Sequence, residues 1–213
     1  MNIKTCNGQR LLRFLLLSLL LSLLLVLSAC SKTPALAPLA ADARVLAFGD
    51  SLTKGTGAAA GQSYPEFLAQ VLGRQVVNAG VPGEVSAQGL QRLPSVLDTV
   101  QPDLLILCHG GNDILRTLDK TQLAENLQAM IDLAQARDIP VVLIAVPQRS
   151  LLLRAEPLYQ TLAEHNNIPL QSDIVANILA QADWRSDRVH PNGLGYQQLA
   201  NAVRDLLHDV GAI

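Results

Sequence analysis

Leu104-Leu105-Ile106-Leu107-Cys108 is an unbroken apolar run, closed by the polar and glycine-rich stretch His109-Gly110-Gly111-Asn112-Asp113. A strand with one wet face alternates polar and apolar residues. A strand without alternation needs both faces covered, as in a parallel sheet between helical layers. Upstream, Val45-Leu46-Ala47-Phe48 ends at Gly49, and Val76-Val77 precedes Asn78-Ala79-Gly80. Downstream, Pro140 to Val146 and Ile168 to Leu170 read as two further strands.

Helical stripes fall between these runs. Tyr64, Phe67, Leu68, Val71 and Leu72 recur at helical spacing, as do Leu123, Leu127, Met130 and Ile131. Leu90, Leu93 and Leu97 mark a helix that Pro94 is expected to break or restart. Leu158 and Leu162 mark another, and the last carries Leu199, Val203, Leu206, Leu207 and Val210. Strand–helix alternation at this spacing predicts an α/β fold, a central parallel sheet in a three-layer α/β/α sandwich. Ligands of such sheets bind beyond the carboxyl ends of the strands, where the polar clusters considered below fall.

The first 43 of the 213 residues have another character. Lys4, Arg10 and Arg13 precede the Leu-rich run Phe14 to Ala29, the layout of a secretory signal peptide. A retained membrane span is the alternative, but it needs roughly 20 apolar residues. Leu27-Ser28-Ala29-Cys30 resembles the bacterial lipobox, which implies a lipid on Cys30. Ser31 after it resembles the sorting signal for the outer membrane. We therefore expect a signal peptide over 1–29, a lipidated Cys30 with a flexible Ala/Pro-rich tether over 30–43, and a folded domain over 44–213. The expected product is an exported lipoprotein, anchored to the membrane and facing the periplasm.

Loss of the leader removes three cations and none of the 18 carboxylates, taking the net charge from −2 to −5. No basic run remains to hold nucleic acid. Cys6 leaves with the leader and Cys30 would be acylated, so Cys108 has no partner for a disulfide. A monomer is expected.

Ser51 follows the first strand in Phe48-Gly49-Asp50-Ser51-Leu52-Thr53 and could serve only as a helix cap. Asp187-Arg188-Val189-His190-Pro191-Asn192 stands just before the last helix. A hydroxyl becomes a good nucleophile when an imidazole takes its proton, and a carboxylate holds that imidazole in the right tautomer. Asp187, Ser51 and His190 can supply the three groups, with Asp187 within one loop turn of His190. The backbone N–H groups of Ser51 and Gly80 and the side-chain amide of Asn112 can converge on the oxyanion.

In these motifs, and in their order from about Arg44 to the C-terminus, the chain resembles the SGNH hydrolases, the GDSL esterase and lipase family. The matching residues are Gly49-Asp50-Ser51-Leu52, Gly80, Gly110-Gly111-Asn112-Asp113, and Asp187 with His190. Ala79-Gly80 and Gly110 to Arg116 are most similar to the bacterial thioesterase I, lysophospholipase and arylesterase group. The resemblance implies a flavodoxin-like SGNH fold and hydrolysis of small-molecule or lipid esters without a cofactor. It gives Ser51, Gly80, Asn112 and His190 the four named roles and Asp187 the third triad position. Val146 to Leu153 lacks the aromatic and glycine pattern of that group's acyl-contacting loop, so chain-length preference does not carry over.

Other chemistries fit poorly. Gly55-Thr56-Gly57-Ala58-Ala59-Ala60-Gly61 has one residue too many for a dinucleotide fingerprint, and no Gly-Lys-Ser or Gly-Lys-Thr marks a P-loop. The four histidines are scattered, without zinc-site spacing. Gly-x-Ser-x-Gly is missing at Ser51 because Thr53 stands last. Two alternatives remain open: a carbohydrate O-deacetylase using the same triad, and a noncatalytic lipoprotein that kept the fold.

Overall fold

The computed structural model describes residues 34–148 and 153–213, so the leader, Cys30 and Arg149 to Leu152 lie outside the described residues. Five parallel strands form one sheet: β1 (Arg44–Gly49), β2 (Gln75–Gly80), β3 (Leu104–Cys108), β4 (Val141–Ile144) and β5 (Leu170–Gln171). Their spatial order is β2-β1-β3-β4-β5. Every residue of β3 and β4 is buried, as the unbroken apolar runs require. Cys108 is a buried free thiol at the end of β3.

Helices α1 (Ser51–Lys54), α2 (Tyr64–Leu72), α3 (Ser86–Val100), α4 (Gly111–Leu115), α5 (Lys120–Gln135), α6 (Leu158–Asn166), α7 (Ile174–Ala180) and α8 (Gly193–Asp209) complete the described fold. One layer packs α2 and α7 against α8, and the other packs α3 and α6 against α5. Local chemistry marks the ends of α2. Ser63 and Glu66 form a capping box at its start, and Gly73 closes it in the left-handed conformation. Three layers follow, as expected.

Three local expectations change. Pro94 does not interrupt α3, which runs through it as one helix. Leu93 and Leu97 are fully buried on either side, and their packing outweighs the lost hydrogen bond. β5 starts at Leu170 rather than Ile168, because Ile168 N–H is already taken by Ala163 O at the end of α6. The tether expected over 30–43 is not free over its last part. Leu36 and Leu39 donate backbone bonds to Val210 and Ala212 (2.9 and 2.8 Å), and Arg74 holds the carbonyls of Leu39 and Ala40. Both leucines rest on the core, so the folded unit begins before Arg44.

The strand order reverses between β1 and β3. The chain leaves β1 outward to β2, then returns to β3 on the other side. Loops after β1 and β3 therefore diverge and leave a crevice at their carboxyl ends. Ser51 follows β1 and Asn112 follows β3.

Candidate active site

Gly49 and Asp50 set the nucleophile turn. A side chain on Gly49 would strike Cys108 O and Thr53 Oγ1, so only glycine lets β1, β3 and α1 meet this closely. The cap of α1 is Asp50 rather than Ser51. Asp50 Oδ1 accepts Leu52 N–H at 3.0 Å, which leaves the Ser51 hydroxyl free for other work. Asp50 is 1% exposed, and burial pushes its carboxyl above the ordinary value despite the N–H groups of Leu52 and Gly111.

His190 reaches Ser51 from the other end of the chain. Its Nε2 lies 3.1 Å from Ser51 Oγ, and its Nδ1 lies 2.8 Å from Asp187 Oδ2. Asp187 Oδ1 accepts the N–H groups of Val189 and His190 at 2.7 and 2.8 Å, curling the chain so that the carboxylate faces the ring. Burial works against ionisation of Asp187, but the His190 ring and these two N–H groups prevail and hold its pKa below the ordinary value. Asn192 closes the same loop by capping α8 through Gly195 N–H, with its amide on Asp183 O. Gly57 lies against this turn. A side chain there would meet Ser186 Oγ and His190 Cβ.

The candidate oxyanion donors are placed differently. Ser51 N–H opens α1 and Asn112 sits in the first turn of α4. Asn112 Nδ2 donates to Glu84 O at 3.0 Å and lies 3.4 Å from Asp50 Oδ2. Gly80 does not fit the expectation. Its N–H donates to Asn78 Oδ1 at 3.0 Å, and a side chain on it would strike the backbone of Lys54. Gly80 is a packing glycine at the end of β2, opposite Gly49.

Gly83 is the glycine that sequence reading missed. Val81-Pro82-Gly83-Glu84 is a type II turn, with Gly83 at φ +79° and Glu84 N–H bonded to Val81 O at 3.2 Å. That turn leaves Gly83 N–H without a partner among the described residues. The next carbonyl, that of Glu84, is the one that holds Asn112, and Arg116 Nη2 holds Gly83 O at 2.8 Å. The Pro-Gly pair was the available signal.

A groove of about 620 Å³ opens beside Ser51. Leu52, Gly111, Ile114, Leu115, Val146, Leu179 and Val189 line it, with Arg188 as the one charged side chain among the described residues. Pro147, Gln148 and Leu153, from the segment that departs from the expected acyl-loop pattern, also contribute.

The geometry agrees with comparisons to known proteins. Residues 47–198 match the GDSL-like Lipase/Acylhydrolase family. The chain is 32% identical over 162 residues to an arylesterase of Vibrio mimicus, covering 71% of this chain and 81% of that protein. It is 31% identical over 156 residues to thioesterase 1/protease 1/lysophospholipase L1 of Escherichia coli K12, covering 70% and 75%. The crystal structure of TesA superposes with a TM-score of 0.70 at 26% identity, covering 78% of this chain and 99% of TesA. The chain therefore belongs to the GDSL-like lipase/acylhydrolase family, the SGNH hydrolases, and is a serine hydrolase of ester bonds.

Proposed function

We propose that Ser51 is the nucleophile, His190 the general base and Asp187 the group that orients it, in a two-step hydrolysis of carboxylic esters. The observation that carries this reading is the continuous relay Asp187 Oδ2, His190 Nδ1, His190 Nε2, Ser51 Oγ at the mouth of an apolar groove. With Asp187 ionised, Nδ1 carries the proton and Nε2 is free to accept that of Ser51. Ser51 Oγ then bonds to the acyl carbon. The imidazolium returns the proton to the leaving alcohol, and water repeats the sequence on the acyl-enzyme.

Three donors serve the oxyanion: Ser51 N–H, Gly83 N–H in place of Gly80 N–H, and Asn112 Nδ2. The 3.4 Å contact from Asn112 to Asp50 is at the weak end for an N–H···O bond, so that hydrogen is available to a stronger acceptor. The groove takes the acyl or aryl part, which favours short- to medium-chain acyl esters, aryl esters, thioesters or lysophospholipids. Among the described residues no aromatic ring lines it as a platform for sugar. We also infer, from the lipobox, that Cys30 carries a lipid and that the domain works at the periplasmic face of a membrane, the outer one favoured.

Labelling with a fluorophosphonate tests the centre of this reading. The protein should be labelled once, and Ser51→Ala not at all, with ester turnover lost and the thermal midpoint nearly unchanged. Labelling or turnover that survives in folded Ser51→Ala would remove Ser51 from the role.

A further inference from the structure

A buried polar chain lies beneath the oxyanion donors, and the hydrolysis described above does not use it. His109 is 0% exposed at the end of β3. Its Nδ1 accepts Gly110 N–H at 2.9 Å, so that nitrogen bears no proton and Nε2 carries the hydrogen. Nε2 points at Glu84 Oε2, 3.1 Å away. Arg92 grips the same carboxylate with two bonds, Nε to Oε1 at 2.8 Å and Nη2 to Oε2 at 2.7 Å, and its guanidinium lies 4.2 Å above the Phe48 ring. Burial would raise the Glu84 pKa, but the bonds from Arg92 and His109 bring it down to about 2. Glu84 is thus an anion at neutral pH and can only accept.

Room for the imidazole is built into a neighbouring helix. Gly89 stands inside α3, and a side chain there would strike His109 Nε2. Glycine within a helix is disfavoured relative to alanine. Here it opens the space in which His109 and Glu84 meet.

We infer that His109 is a positioning residue for Asn112, holding it from both sides. One side is the chain: Gly110 N–H bonds to the ring, and Gly110, at φ +104°, starts α4, which carries Asn112. The other is Glu84, whose side chain His109 fixes and whose carbonyl receives Asn112 Nδ2 at 3.0 Å. Tyr159 steadies the arrangement by donating to His109 O at 2.7 Å. His109 thereby sets the aim of Asn112 without touching the substrate. The inference rests on the proposed oxyanion role of Asn112.

The test is a double-mutant cycle with a neutral aryl ester, reading kcat, KM and thermal midpoint for His109→Leu, Asn112→Ala and the pair. His109→Leu should lower kcat by about tenfold or more, up to the roughly 10²–10³ that loss of a whole donor typically costs, with KM changed by less than about twofold. The pair should be little slower than Asn112→Ala alone, because the aim of an absent amide no longer matters. His109→Gln, which can both donate to Glu84 and accept from Gly110, should restore much of the loss. If His109→Leu does not fold, Gly89→Ala takes its place in the cycle, pressing a methyl group on Nε2 while the imidazole remains. Unchanged kcat in folded His109→Leu, or losses that simply add to those of Asn112→Ala, overturn the inference while the oxyanion role of Asn112 stands. Unchanged kcat in Asn112→Ala removes that role and the inference with it.

Discussion

His190 Nε2 lies 3.1 Å from Ser51 Oγ although 139 positions of chain separate the two residues. The contact depends on the orientation of one ring, and Asp187 sets that orientation. An Asn at 187 can keep its oxygen on the N–H groups of Val189 and His190, which turns its NH2 toward Nδ1. The ring would then carry its proton on Nε2 and could not accept from Ser51. Asp187→Asn should therefore lower kcat by about 10⁴ with the fold retained. Steady-state rates at neutral pH, with circular dichroism as the folding control, test this. A fast Asp187→Asn variant would show that the orientation comes from elsewhere.

Asn112 faces Glu84 O and the Asp50 carboxyl group. Asn112→Ala removes a donor and should cost about 10²–10³ in kcat. Asn112→Asp should be slower still, because a second carboxylate would stand beside Asp50 and face the developing oxyanion. Substrate binding should move much less than turnover. Equal kcat for the two variants would mean that charge at this position has no effect on the transition state.

Gly57 and Gly61 share one loop and a left-handed backbone, at φ +97° and +84°. Their surroundings differ. Nothing lies within 4 Å of a side chain built at Gly61, whereas one at Gly57 meets Ser186 and His190. Gly61→Ala should cost only the backbone strain, roughly 1–2 kcal/mol, with kcat unchanged. Gly57→Ala should also displace the His190 turn, and a shift near 1 Å can cost about 10²-fold in rate. Chemical denaturation and kcat for the two variants make the comparison. Matching kcat values would show that the His190 turn does not depend on this contact.

Glu84 should make stability depend on acid. Its folded pKa of about 2 lies below the ordinary 4.5. Between those values the unfolded chain binds a proton that the folded one does not. The contribution is therefore complete above pH 4.5 and fades as pH falls toward 2. Glu84→Gln should have a lower midpoint at neutral pH and lose less between pH 4.5 and 2 than the native protein does. Parallel curves across that window would place the acid sensitivity in other carboxylates.

Cys30→Ser should abolish labelling by a radioactive fatty-acid precursor and leave the protein either released from membranes or stalled with its leader attached. Persistent labelling would show that Cys30 is not the acylated residue.

Much of this molecule is decided by near neighbours. The unpatterned run Leu104 to Cys108 demands cover on both faces, so the layered parallel sheet was legible before any contact was known. The pairing of Asp187 with His190 is equally local, since a carboxylate two and three residues ahead can bond the N–H groups that curl the loop around it. The Gly49-Asp50-Ser51 turn belongs to the same class.

Other features exist only because distant segments meet. Gly80 ends β2 and Gly83 follows it closely. What separates them is the back of α1 pressing on one and a turn freeing the N–H of the other. Pro94 reads as a break until the burial of Leu93 and Leu97 is counted. His109 is an unremarkable loop histidine in sequence. It acquires Glu84, Arg92 and the space left by Gly89 only when α3 packs over the end of β3. The groove, too, collects Leu52, Ile114, Val146, Leu179 and Arg188 from five separate segments. Patterning and short-range hydrogen bonds are written in consecutive residues. Which donor stays free, and which side chain is buried beside which charge, depends on packing between elements far apart in the chain, and only the tertiary structure decides it.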